Sequence, residues 1–253
     1  MTTENSAPKT PYVHPWKGAP DGVAADLALA DLVNNLPRKL TVDGRTHAET
    51  LLAASGAIAG YTAQRSLMFR MTAEEIVDPS SGIQILQSTA GGLFFFGEPL
   101  DQALVALSPV DHHKLWPLAG SAAIEAGLDP NDLPPLTPMF DHVASTLGSP
   151  REGTTSIEGV RFQAATFALL RTVWPLAMTC FNGQLSGQQL NPPVVVTPPW
   201  RPVIAALAAG RMIRDTASVL PPRKALTIVM ETAIYASKLS PSIVEPQTAP
   251  VSA

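Results

Sequence analysis

Residues 45–69, RTHAETLLAASGAIAGYTAQRSLMF, constrain the fold more than any other stretch of the chain. Asp43-Gly44 before them marks a turn. Thr46 and Glu49 have the spacing of a capping box, in which a threonine oxygen accepts from the N3 amide and a glutamate reaches back to the N-cap amide. Ala48, Leu51, Leu52, Ser55, Ile58, Ala59, Thr62 and Ala63 then recur at the spacings of one helical face. Gly56 and Gly60 lie on that face, with Ser55, Ala59 and Ala63 beside them. An interior glycine costs a helix about 1 kcal/mol against alanine, so keeping two requires an offset of roughly 2 kcal/mol. A second helix crossing this groove at close range supplies it, and Gly56 and Gly60 are assigned to helix packing. The same spacing serves membrane dimers. Here, however, the uncharged run between Glu49 and Arg65 falls short of the roughly 20 apolar residues that a bilayer requires.

Charge is scarce. Only 15% of the 253 residues are charged, against about 25% in an average soluble protein, and mean hydropathy is +0.14. No segment reads as a membrane span. The apolar surplus must therefore be hidden by assembly or wrapped around a ligand. A net charge of −4 with no basic run argues against a nucleic-acid partner. The single cysteine, Cys180, excludes an internal disulfide and fits a reducing compartment. The opening residues MTTENSAPKTPY lack the apolar core of a signal peptide, which makes the cytoplasm the expected location.

Proline serves as punctuation, with 25 residues, about twice the usual share of roughly 5%. Residues 1–20 read as an extended arm that Tyr12, Val13 and Trp16 would pin down. A first helix is predicted over Gly22–Asn35, with Val23, Leu27, Ala30 and Val33 on one face, stopped by Pro37 through its effect on Leu36. Thr72 and Glu75 repeat the capping-box pattern before Pro79. Ile83–Leu86 and Leu93–Phe96, joined by a glycine-containing loop, read as a β-hairpin over about residues 83–96. Its three consecutive phenylalanines put apolar side chains on both faces. Val194–Val196, flanked by prolines, offers a third strand at an edge. Pro99 opens one helix. Ser108-Pro109 opens another that is bent at Pro117 and ends at Gly127. Thr137 is placed as the cap of a short helix closed by Gly148. Three helical blocks follow: Val160–Phe181, kinked or broken at Pro175; Pro202–Leu220; and Pro222–Leu239. The fold class is mainly α, an irregular multi-helix bundle with one small β-hairpin. Residues 21–239 form a single helical domain, an internal boundary falling at 149–159 if there is one, and 240–253 a loose tail.

Candidates for chemistry are few. The five histidines show no H-E-x-x-H spacing and no Glu-x-x-His pair of the di-iron type. Asp111-His112-His113 is the densest cluster, but adjacent helical residues point about 100° apart, so no metal and no cofactor is expected. His47 and Glu49 stand at a well-defined helix start, where anions are stabilised. Glu231 sits among Ile228, Val229, Met230, Ala233 and Ile234. If it points inward it needs a partner, with Arg171, Arg211 and Arg214 in reach along the sequence pattern. His47, Glu49, His112 and Glu231 are therefore the candidate ligand-binding residues. Each also has a plainer reading: a capped helix, an exposed first turn, a side chain that snorkels to water. Cys180 lies in an apolar run and reads as buried and inert. No nucleophile elbow, Walker loop or dinucleotide-binding loop is present.

Two functional readings follow. The first is a non-catalytic cytoplasmic protein that self-associates, or binds a partner, through an apolar helical surface. A homodimer is its simplest form, with the three C-terminal helical blocks at the interface. The second is a small-molecule enzyme or ligand-binding protein with a pocket between helices. Convergence of His47, Glu49, His112 and Glu231 on one concavity favours the second, and scatter favours the first.

Overall fold

The computed structural model describes residues 13–71, 79–88, 91–105, 112–191 and 194–245. The described helices are α1 (Gly22–Lys39), α2 (Ala48–Phe69), α3 (Glu98–Leu104), α4 (Leu115–Glu125), α5 (Leu136–Thr146), α6 (Thr166–Phe181), α7 (Arg201–Thr216), α8 (Pro222–Ala236) and α9 (Pro241–Val244). Two antiparallel strand pairs accompany them: β1 (Thr41–Val42) with β2 (Arg45–Thr46), and β3 (Gln84–Gln87) with β4 (Leu93–Phe96). The fold is mainly α with a small hairpin. Among the described residues, no helix is long and apolar enough to cross a membrane.

Helix α2 is the axis of the bundle. It packs on α8, α7 and α6, and every residue from Thr50 to Gln64 is buried. The sequence pattern gave it one apolar face, yet the small residues between its leucines allow burial all round. Helices α2 and α8 run parallel. Gly56 lies over Val229 and Thr232, and Gly60 over Ala233. One turn on, the Gln64 amide donates to the carbonyls of Ser237 at 2.9 Å and Leu239 at 2.7 Å. These are orphan acceptors at the end of α8, satisfied from a neighbouring helix. Helix α4 covers α7 and α8, α1 lies on α6 and α7, and α5 on α8.

The start of α2 differs from the capping box. Asp43 and Gly44 both have positive φ, 50° and 73°, which is the backbone of a two-residue hairpin turn. Thr46 is thereby drawn into β2, where its hydroxyl meets that of Thr41 at 2.9 Å. His47 becomes the N-cap, with φ −78° and ψ 120°, and no side chain caps the helix.

Proline stops α1 less abruptly than the sequence predicts. The helix continues through Pro37 to Lys39, because Leu36 and Leu40, 1% and 7% exposed, anchor its last turn in the core. The buried face is Ala25, Ala28, Leu32 and Leu36, while Val23 and Ala30 are exposed. Pro117 is the third residue of α4, where its missing amide proton costs nothing and requires no bend. Helix α5 begins at Leu136 with Pro135 as its N-cap, so Thr137 lies inside it. Helix α6 runs unbroken through Pro175. That proline faces solvent, as does Arg171, whose carbonyl loses its helical donor, so water can serve the orphaned group. Val194–Val196 forms no strand; instead the Val196 amide donates to Phe181 at 2.9 Å. The second capping box at Thr72 and Glu75, and the helix start at Ser108, lie outside the described residues.

Two peripheral segments are seated on the body. Trp16 is fully buried, with its Nε1 on Asp26 at 2.8 Å. Residues 240–245, within the region read as tail, bury Val244 and bring Glu245 to Tyr61 and Arg65.

Candidate functional site

The four ligand-binding candidates occupy three separate places. His47 and Glu49 form a pair at the start of α2, with Nε2 3.1 Å from Glu49 Oε2. His47 Nδ1 lies 2.9 Å from Thr50 Oγ1, and that oxygen accepts the Gln163 amide at 3.0 Å. The Thr50 proton is then free for Nδ1, and an Nε2-protonated imidazole satisfies both contacts. The cluster ties the start of α2 to the chain entering α6. His47 borders a depression shared with Arg45 and Gln163, which Glu49, His112 and Glu231 do not line.

His112 is exposed, ahead of α4. Its neighbour His113 is half-buried and lines a different cleft, together with Lys114 and Arg70. Burial, and then the adjacent His112, hold the His113 pKa below the ordinary histidine value. Asp111 lies outside the described residues. Among the described residues, no group of three histidine, cysteine or acidic side chains could hold a metal ion.

Glu231 is 1% exposed, on the side of α8 turned away from α2. Among the described residues, no arginine pairs with it. Arg171 is exposed over the Phe167 ring, Arg211 pairs with Asp215, and Arg214 pairs with Glu125. Glu231 Oε2 instead accepts the Thr155 hydroxyl at 2.5 Å and the Ser156 amide at 2.8 Å. Its Oε1 has no partner among the described residues. One turn on, the Tyr235 hydroxyl donates to Glu152 at 2.7 Å, and the other Glu152 oxygen accepts the Gly148 amide at 2.8 Å. Two buried groups of α8 thus fasten the loop from Gly148 to Ser156. The carboxylate holds this loop against α8, and sequence periodicity could not reveal its partner, which lies 76 residues away.

The hairpin presents a different kind of site. Strand β4 is paired on both sides, with β3 in the register Ile85↔Phe95 and Leu86↔Phe94, and with the end of α8 through Phe94 and Leu239. The Phe95 amide donates to Lys238 at 2.7 Å, away from β3. Ile85 and Phe95 are therefore a non-hydrogen-bonded pair. It follows that the amides and carbonyls of Ile85 and Gln87 point to the outer edge of β3. Among the described residues, no strand pairs with that edge. All four β3 residues are exposed, with Ile85 at 43%, Leu86 at 47% and neighbouring Leu93 at 38%. The sequence signal was present in the apolar residues on both faces of the hairpin: those of β4 at Phe94 and Phe95 are buried, while Ile85 and Leu86 on β3 are exposed.

No family model matches the chain, and no curated protein or solved structure does either.

Proposed function

We propose that this chain acts by assembly rather than by chemistry, forming a cytoplasmic homodimer through the open edge of β3. The observation that carries the reading is that edge, with its outward backbone groups at Ile85 and Gln87 and its exposed Ile85 and Leu86. Scatter of His47, Glu49, His112 and Glu231 over three places supports a non-catalytic role. Of the C-terminal helices, α8 has 11 residues and α7 has 10 buried within the chain, so the reading rests on the β3 edge instead of on them.

A second copy is the occupant that the strand fits. Gln84-Ile85-Leu86-Gln87 reads nearly the same in both directions and carries no charge to repel itself. Proteins usually guard an edge with lysine, proline or a bulge, and β3 has none of these. Antiparallel pairing about a two-fold axis at Leu86 sets Ile85 against Gln87 of the other copy, which joins the outward backbone groups and keeps Leu86 beside its own mate. A four-residue strand buries little, so the side chains of Leu86 and Leu93 must contribute for the contact to approach about 1,000 Å².

Light scattering across a concentration series tests this. The mass should rise from 26.7 kDa toward twice that value, and Leu86→Lys should hold it at the monomer mass with an unchanged melting temperature. A wild-type mass that stays at the monomer value at the highest soluble concentration overturns the proposal.

A further inference from the structure

A cleft of about 560 Å³ opens where the end of α2, the middle of α6, the start of α7 and α9 meet. That volume lies in the range of small-molecule sites. One wall is apolar: Phe95, Trp174 and Met178 line it, and Phe69, 68% exposed, stands at its mouth. Trp174 is held rigidly by an edge-on contact with Tyr61, with ring centroids 4.7 Å apart. Methionine gives such a wall some capacity to adapt to what it holds.

The charged groups of the cleft are unevenly matched. Arg65 Nε donates to Glu245 at 2.9 Å, and the Tyr61 hydroxyl donates to the same carboxylate at 2.9 Å. That cation has its anion. Arg201 does not. Its Nε donates to the Val196 carbonyl at 3.1 Å, and its guanidinium carbon lies 5.7 Å from the Phe181 ring centre. No carboxylate pairs with it among the described residues. Burial alone pulls its pKa below the ordinary arginine value, as expected for a cation held partly out of water with no compensating charge. Two guanidinium groups and one carboxylate leave the lining one positive charge in excess.

We infer that this cleft binds a small amphipathic monocarboxylate, with its carboxylate on Arg201 and its apolar body along Trp174, Phe95 and Met178. A guanidinium fork matches a carboxylate in shape as well as charge. One negative charge balances the lining, whereas the second charge of a phosphate ester would stand against Glu245. The site needs no dimer and is separate from the β3 edge.

The test uses decanoate, decanol, decylamine and decyl phosphate, each below its micelle concentration, in calorimetric titrations of the full chain. Decanoate should saturate at one site per chain. The other three should bind at least about tenfold more weakly, as expected for loss of a charge-assisted contact. Arg201→Gln should cost decanoate about tenfold while leaving decanol unchanged, and the exposed Arg171→Gln should change neither. Equal binding of decanoate and decanol, no saturable binding of decanoate, or an unchanged affinity in Arg201→Gln overturns the inference. If Arg201→Gln does not fold, the comparison of the four probes on the wild-type chain decides alone.

Discussion

Gly60 of α2 meets the backbone of Ala233 on α8 with no room for a side-chain carbon between them. A Cβ at Gly60 would overlap the carbonyl of Ala233, and one at Gly56 would overlap the carbonyl of Val229 and the hydroxyl of Thr232. The obstacles are mostly main-chain atoms inside a helix, which cannot turn aside as the end of a long side chain can. Close approach of the two backbones is what offsets the poor helical propensity of both glycines. It also lets Gln64 reach the end of α8.

Replacement by alanine should therefore act against propensity. Gly60→Ala adds a better helix former worth about 1 kcal/mol, yet it should destabilise the protein by about 1–3 kcal/mol through overpacking. Gly120 provides the contrast, since a Cβ there meets only Leu133 at an ordinary 3.7 Å. Gly120→Ala should stabilise by up to about 1 kcal/mol. Urea unfolding of the two variants measures both signs. A Gly60→Ala protein as stable as wild type would show that the two helices are not in backbone contact.

The pin between Glu231 and the loop from Gly148 to Ser156 predicts strong coupling. Thr155→Val keeps the shape and removes the hydroxyl from a buried carboxylate that already lacks a partner on Oε1. The expected loss is about 1–3 kcal/mol. Glu231→Leu in the Thr155→Val background should cost less than the same change in wild type, because the two share one network. Additive losses across this cycle, measured by chemical denaturation, would mean that the hydroxyl and the carboxylate do not depend on each other.

The parts of the fold that were legible in the sequence are those set by local signals. Gly56 and Gly60 marked a close crossing because two interior glycines in one helix demand compensation. The hairpin was legible because Ile83–Leu86 and Leu93–Phe96 are strand formers on either side of Gly91-Gly92. Boundaries were misplaced where burial outweighed a local rule. Pro37 failed to end α1 since Leu36 and Leu40 are held in the core, and Thr46 failed to cap α2 since the Asp43-Gly44 turn took it into a strand. The site candidates fared differently. Glu231 stood out as a carboxylate among aliphatic residues, but its partners come from a loop far off in sequence. Arg201 gave no signal: next to Pro202 at a helix start it resembles any surface arginine. Only the meeting of α2, α6, α7 and α9 sets it in one cleft with Trp174, with no carboxylate paired to it among the described residues.

Cys180 supplies the last prediction, for alkaline pH. The thiol is 1% exposed. Burial, and then the charge of Asp31, push its pKa up to about 12, against about 8.5 for a thiol in an unfolded chain. Between these values the native protein keeps a proton that the unfolded chain has lost. The thiol therefore contributes stability that is full below about pH 8.5 and is lost as pH rises, with a limiting slope of about 1.4 kcal/mol per unit for one proton. Above about pH 10 the unfolded tyrosines also ionise, and buried Tyr61 and Tyr235, whose pKa values burial raises, add to the decline. The window from about pH 8.5 to 10 isolates the thiol. Unfolding free energies of wild type should fall across that window, and those of Cys180→Ser should fall less steeply by about one proton. A thiol reagent at pH 8 should leave the native protein unmodified and react fully once urea unfolds it. Parallel slopes for the two proteins, or rapid labelling of the native chain, would place Cys180 in contact with water and remove it from the interior of α6.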